Sequence, residues 1–460
     1  MSVAEATPDL EHADRSDRAF LGHPKGLGYL GFTEGCERFS YYSMQTLLVL
    51  YMVNYLLVPG RMDQVAGLNW LQTHVYHGLT GQPLASAIFG TYTSLVYLTP
   101  IFGGMIADRW LGRDLTLIIG GVLMALGHFL MAIESAFVFA LIALVLGVGA
   151  FKGNIATQVG ALYGPNDMRR AMAFQIYYIF INVSVIIAPL VSGTLGQRLG
   201  WHYGFGCAGV VMVIGLGIYL KGRRWLSPER ASLGSRAKAP KVPLSRDDWL
   251  RVLYLVILIP VMAITLLTNQ EIFNAYLTWG DQQFNLKLFG FALPSSWLIT
   301  LDAAVSFTML VAVAAFWKWW SLKRREPDEI SKMIIGCLFT MAGGMCLFMA
   351  ALTQAPGAKI SMFWPILFEI MVSIGFAHIL PVSLALFSKI APPQITATVI
   401  GLYYLAFFIA NAVVGWVGGL YSSLPTTTFW LLHVGSAAFG LVAFIVFKLV
   451  LGRRMTAAPA

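Results

Sequence analysis

Charge is scarce in this chain. Asp, Glu, Lys and Arg make up 12% of its 460 residues, about half the share carried by a soluble domain, and mean hydropathy is +0.70. A soluble globular protein is therefore excluded, and a polytopic membrane protein is implied. The first twenty residues hold Glu5, Asp9, Glu11, Asp14 and Asp17 and no apolar run, so no cleavable signal peptide is expected. Cysteine is equally sparse. Cys36, Cys207, Cys337 and Cys346 each sit in an apolar stretch with no CxxC spacing, which supports neither a metal centre nor a disulfide framework. HExxH and GxSxG are missing, and no Gly-Lys dipeptide exists to build a Walker A loop. An enzyme and a nucleotide-driven pump are both disfavoured, and no cofactor or metal is expected.

What the chain has in abundance is hydrophobic length. A bilayer-spanning helix needs roughly 20 mostly apolar residues. Runs of that kind lie near 27–57, 84–106, 115–133, 136–157, 171–196 and 203–220. A second set lies near 249–279, 293–317, 332–354, 360–388, 395–421 and 428–450. Between the sets runs KGRRWLSPERASLGSRAKAPKVPLSRDD, residues 221–248, too polar to span a membrane. The expected organisation is a tail (1–26), a six-helix bundle (27–220), a linker (221–248), a second six-helix bundle (249–451) and a short tail (452–460).

Orientation follows from the distribution of Lys and Arg. Of 31 such residues, Arg61, Arg198, Lys287 and Lys359 fall in loops on one side, and Arg38 and Lys152 fall inside helices. The rest lie on the side of the linker and both termini, which is therefore predicted to be cytoplasmic. The net charge of +9 reports this topology and gives no reason to expect a nucleic-acid partner.

One segment breaks the apolar pattern. EGCERFSYY, residues 34–42, places Glu34, Glu37 and Arg38 in the first predicted helix. At about 100° per residue, Glu37, Arg38 and Tyr41 all fall within about 60° of Glu34. That face must look into the bundle, since a charge at the bilayer centre costs roughly 2.5–3.5 kcal/mol. Two acids beside one base leave a negative charge to be met by another cation or by a proton. Lys152, in GAFKGN of the fourth helix, is the neutralising candidate. An acid pair with a nearby base suits a group that loads and unloads a proton, which a passive channel does not need.

Two six-helix halves joined by a polar linker resemble the plan of the major facilitator superfamily, whose substrates bind near the midplane between the halves. EGCERFSYY matches ExxERFxYY, the first-helix signature of its proton-dependent oligopeptide transporters, at every specified position. The similarity continues through GGMIADRWLGR, the Lys152 helix, MAFQIYYIFINVSV (like the family's FYxxIN), LPSSWLITLDA and SLALFSKIAPP. The resemblance implies an all-α membrane protein with twelve transmembrane helices. It implies a proton-coupled symporter importing di- and tripeptides by alternating access. It would be driven by the proton gradient without a cofactor, as a functional monomer in a bacterial-type inner membrane. Its partners would be a small peptide, protons and the lipid bilayer. By the same resemblance, Glu34, Glu37 and Lys152 would couple protons, and Arg38 would hold the substrate carboxylate through its bidentate fork. Tyr41, Tyr42, Tyr97, Asn182 and Gln270 would line the pocket. Gly104, Asp108 and Arg109 would form a gate, with glycines allowing close helix approach and the charged pair bridging helix ends.

The departures are specific. Where many members read YYGMRA, this chain reads YYSMQT and has Gln45; a seventh-helix Glu is replaced by Asn269 before Gln270. The tenth-helix GELLLSP-like stretch, whose Glu is expected to receive the peptide's amino terminus, reads GFAHILP and holds Phe376. Asp302 stands where Asn is common in the eighth helix, Glu369 lies seven residues before Phe376, and His378 is nearby on another face. Asp302 or Glu369 would supply the missing charge, or the substrate lacks a free amine. A same-fold carrier of a non-peptide small anion or metabolite is the alternative. The linker has no room for the two additional helices of many bacterial relatives.

Overall fold

A computed structural model describes residues 17–164, 167–226, 244–288 and 290–456. The expected tail over 1–16, most of the predicted linker (227–243) and the last residues (457–460) lie outside the described part. The described residues are almost entirely helical. In the first half come α1 (Lys25–Tyr51), α2 (Gly81–Ile106), α3 (Arg113–Leu130), α4 (Phe137–Ala161), α5 (Arg169–Ala188) and α6 (Trp201–Gly222). In the second come α7 (Arg246–Thr265), α8 (Trp297–Ser321), α9 (Glu329–Thr353), α10 (Phe363–Ile390), α11 (Thr396–Tyr403, resumed at Leu405–Gly419) and α12 (Thr426–Thr456).

Among the described residues, eleven helices are long and apolar enough to cross a membrane. The twelfth is α1, which falls outside that set and carries Glu34, Glu37 and Arg38 in its interior. It is held in the bundle by burial of nearly its whole length, so the charges look onto protein rather than lipid. Polar caps fix two helix starts on the side of the termini. Ser245 and Asp248 form a reciprocal capping box at α7, and the Asp328 side chain accepts from the Ser331 backbone N–H at α9 (2.7 Å). Each satisfies donors that a helix end leaves free.

Three features differ from the sequence reading. The expected single span at 249–279 is broken: α7 stops at Thr265, and the path continues through Leu267–Gln270, a tight turn Glu271–Phe273 and Ala275–Gln283. Asn274, with φ −122° and ψ −104°, marks the break. The span expected from 293 begins at Trp297, because the preceding Leu293–Ser296 follows a two-residue hairpin, Lys287–Leu288 with Phe291–Ala292. The loop after α1 holds a short helix, Leu68–His74.

Helices α1–α6 pack mainly among themselves, as do α7–α10 and α12, whereas α11 packs chiefly on α2 of the first half. The halves are tied at the end away from the termini. A Cβ on Gly90 of α2 would lie 2.3 Å from Gly415 Cα of α11, so only glycine permits that crossing. Beyond it, Gln197 donates to Ser295 (2.6 Å) while accepting from the Ser296 backbone N–H (3.0 Å). Ser295 and Asn54 both donate to Asp281, at 2.6 and 3.0 Å. Gln82 donates to Ser86 (2.8 Å), which donates to Asn274 (2.9 Å). The two halves are therefore in contact at that end.

Candidate functional site between the two halves

The site grows from α1. Spacings of three and four residues put Glu34, Glu37, Arg38 and Tyr41 on one helix face, and all four are buried. Arg38 Nε lies 3.1 Å from Glu34 Oε1. It also donates to Glu37, whose second oxygen receives Arg38 Nη2 at 2.7 Å. The guanidinium thus forks onto Glu37 and reaches Glu34 with the same edge. Glu34 Oε2 is left without a hydrogen-bond partner, with Tyr177 of α5 beside this carboxylate.

Lys152 of α4 supplies the second interior cation. It lies within electrostatic reach of Glu37 and Glu34 but forms no ion pair with either among the described residues. Its Nζ instead rests 4.7 Å from the centre of the Tyr97 ring and 5.7 Å from that of Tyr41. Arg38 Cζ lies 5.1 Å from the same Tyr41 ring. One tyrosine ring therefore holds both cations by their attraction to its π face. Tyr97 stacks on Phe407 of α11 at 5.0 Å, and Tyr42 meets Phe273 beside the helix-7 break at 6.4 Å. These aromatic contacts bridge the halves.

Not every predicted residue joins this cluster. Asn182 donates back to the Tyr178 carbonyl of its own helix (2.8 Å). Gln270 contacts Asn269 (3.0 Å) and accepts from Asn411 of α11 (3.3 Å), so its side chain is committed within the second half. Phe376 is a half-buried ring on α10. At the expected gate, Asp108 pairs with Arg113 (3.4 Å) rather than with Arg109, which is exposed. The reason is the tight turn at Gly112 (φ 78°), which brings Arg113 back toward Asp108. The close helix approach falls on Gly103, where a Cβ would lie 2.0 Å from Gly149 O of α4; at Gly104 a Cβ would meet nothing.

Asp302 and Glu369 come together. Asp302 of α8 is 8% exposed and Glu369 of α10 is fully buried, and the two carboxyls interact directly. Tyr276, from the continuation of helix 7, faces both, and Tyr42 of α1 faces Asp302. Tyr276 and Tyr177 are partners that sequence reasoning missed. Tyr276 sits two residues beyond Asn274, where the helical register assumed from sequence is interrupted. Tyr177 lies within the IYYIFIN stretch and is indistinguishable there from a packing aromatic. Glu271 is buried against His433 of α12 (3.6 Å) and accepts from Asn274 (3.0 Å).

Comparison with known proteins agrees with this geometry. A family model described as Major Facilitator Superfamily matches residues 39–415. The chain is 29% identical to an uncharacterized transporter, YclF, of Bacillus subtilis, covering 93% of each chain. It is also 29% identical to the peptide transporter YePEPT of Yersinia enterocolitica, covering 87% of this chain and 89% of that one. Among solved structures, a peptide transporter POT in complex with alafosfalin superposes with a TM-score of 0.84 at 26% identity, covering 98% of this chain and all of that one. The chain belongs to the Major Facilitator Superfamily, and along nearly its whole length it is similar to peptide transporters of the POT family.

Proposed function

We propose that this protein is a proton-coupled symporter importing di- and tripeptides by alternating access, with both termini cytoplasmic, in a bacterial-type inner membrane and as a functional monomer. The observation that carries the reading is the four-charge cluster at the junction of the halves. Glu34 and Glu37 are balanced by Arg38 and Lys152, and one tyrosine ring lies against both cations. A peptide carboxylate arriving between Arg38 and Lys152 brings a third negative charge to two positive ones. In a low-dielectric interior that excess is costly, and a proton taken up by Glu34 or Glu37 removes it. Substrate and proton then bind more favourably together than separately, which is what symport requires. Tyr42 and Tyr97 line the junction, and Asp108, Arg113 and Gly103 sit where α2 turns into α3.

Support comes also from relatives named as peptide transporters along nearly their whole length. The test is uptake of labelled di- and tripeptides into proteoliposomes under an imposed inward proton gradient. Accumulation above equilibrium that collapses with a protonophore supports the reading; equilibration without accumulation contradicts it.

Phe376 favours a second reading, a carrier of a small non-peptide anion, because an apolar ring occupies the position where the family places an acid for the peptide amine. Equal uptake of a free and an N-acetylated peptide would favour it.

A further inference from the structure

Glu369, which the sequence offers with Asp302 as a source of the negative charge missing at Phe376, is a fully buried carboxyl, and neither of its oxygens has a hydrogen-bond partner. Beside it stands Asp302, whose own bond to Ser306 is long at 3.4 Å, with Ser306 turned toward Ser373 at 2.9 Å. A separate group points into the same spot: the Tyr276 hydroxyl, fully buried and also without a hydrogen-bond partner. Two carboxyls and a phenol thus converge from α8, α10 and the outer part of helix 7.

The titratable groups facing the pair are Tyr276 and, from α1, Tyr42. No lysine, arginine or histidine among the described residues contacts it. His378, nine residues further along α10, is engaged by Trp317 Nε1–H (3.0 Å) and lies against Ile374 O. The pair therefore differs from the Glu34–Glu37 cluster, which has two cations of its own. Two adjacent carboxylates without a counter-ion repel strongly in a medium of low dielectric, and such pairs hold a proton between them.

We propose that Asp302 and Glu369 form a second proton-binding site, in the carboxy-terminal half, that takes up one proton per cycle. The proton passes from water to one carboxylate, giving a carboxylic acid that donates to the other, and returns to water when α8 and α10 are exposed on the opposite side. The proposal rests on the symporter reading for its role in the cycle. The protonated state itself can be observed without any substrate.

The test uses the isosteric variants Asp302→Asn and Glu369→Gln in the full chain. In infrared difference spectra of purified substrate-free protein at neutral pH, the carbonyl band of a protonated carboxylic acid should be present in wild type. It should be lost in at least one of the two variants and retained in the control Glu134→Gln. A band unchanged in both variants overturns the proposal. In proteoliposomes, the proton-to-peptide ratio from reversal potentials should fall by one in that variant while counterflow persists; an unchanged ratio in both overturns the transport role. If wild-type binding demands a free peptide amine and either variant removes that demand, the pair receives the ammonium instead, and the proposal is likewise overturned. Failure of wild type to carry peptides at all would contradict the symporter reading while leaving the infrared result to decide the site.

Discussion

Lys152 rests on the ring of Tyr97, 4.7 Å from Nζ to centroid, and not on a carboxylate. A lysine held by a ring is free to change partners, because a cation–π contact contributes about 0.5–2 kcal/mol. Breaking a buried ion pair costs roughly 3–5 kcal/mol. Its charge matters to the neighbouring acids while its position is only loosely fixed. Such a group can answer the arrival of a substrate carboxylate within one transport cycle.

Replacing it tests that role. Lys152→Gln should leave the fold intact, with thermal unfolding of the detergent-solubilised protein shifted only a few degrees. Gradient-driven peptide uptake should fall at least tenfold. Retention of wild-type accumulation by this variant would remove Lys152 from coupling.

Arg38 has a stricter geometry, since one guanidinium serves two carboxylates of its own helix. Arg38→Lys keeps the charge but loses the fork. A lost charge-assisted hydrogen bond is worth about 1.5–3 kcal/mol, so peptide affinity should weaken about ten- to hundredfold. Calorimetry with a peptide and its C-terminal amide completes the test: wild type should prefer the free carboxylate, and the variant should lose most of that preference.

The α2–α3 turn makes a contrast between adjacent glycines. Gly103→Val drives a side chain into the Gly149 backbone of α4, whereas Gly104→Val points into open space. Overpacking costs typically 1–3 kcal/mol. The first variant should express poorly or unfold several degrees early, and the second should match wild type in both stability and uptake. Equal behaviour of the two would contradict the packing described.

Phe376 bears on the amino end of the substrate. Phe376→Glu places a carboxyl on α10 and should raise the preference for a free over an N-acetylated peptide, measured as a ratio of inhibition constants. It should also offer Lys152 a salt-bridge partner and slow turnover. An unchanged ratio would show that the substrate amine does not approach this position.

Much of this was legible in the sequence, for reasons that differ by element. Eleven spans are written in hydrophobic length, α1 is marked by the charges within its apolar run, and the helix periodicity alone puts Glu34, Glu37, Arg38 and Tyr41 on one face. Both are local properties. What escaped depends on distance in the chain or on a break in register. Asp302 and Glu369 are brought together only by the packing of α8 on α10, and Tyr276 reaches them only because helix 7 is interrupted at Asn274. Lys152 was placed correctly inside α4, yet its seat on two tyrosine rings depends on how α1, α2 and α4 meet. At the α2–α3 turn the sequence pointed to Arg109 as the partner of Asp108, and the positive-φ Gly112 brings Arg113 to it instead.

The central claim is that the acids of α1 carry the coupled proton, and the most direct measurement compares two fluxes through one variant. Glu37→Gln keeps the shape of the side chain but cannot exchange a proton. In proteoliposomes it should abolish peptide accumulation driven by an imposed proton gradient while preserving a measurable part of peptide counterflow, which needs no net proton movement. Gradient-driven accumulation at the wild-type level in both Glu34→Gln and Glu37→Gln would contradict the account.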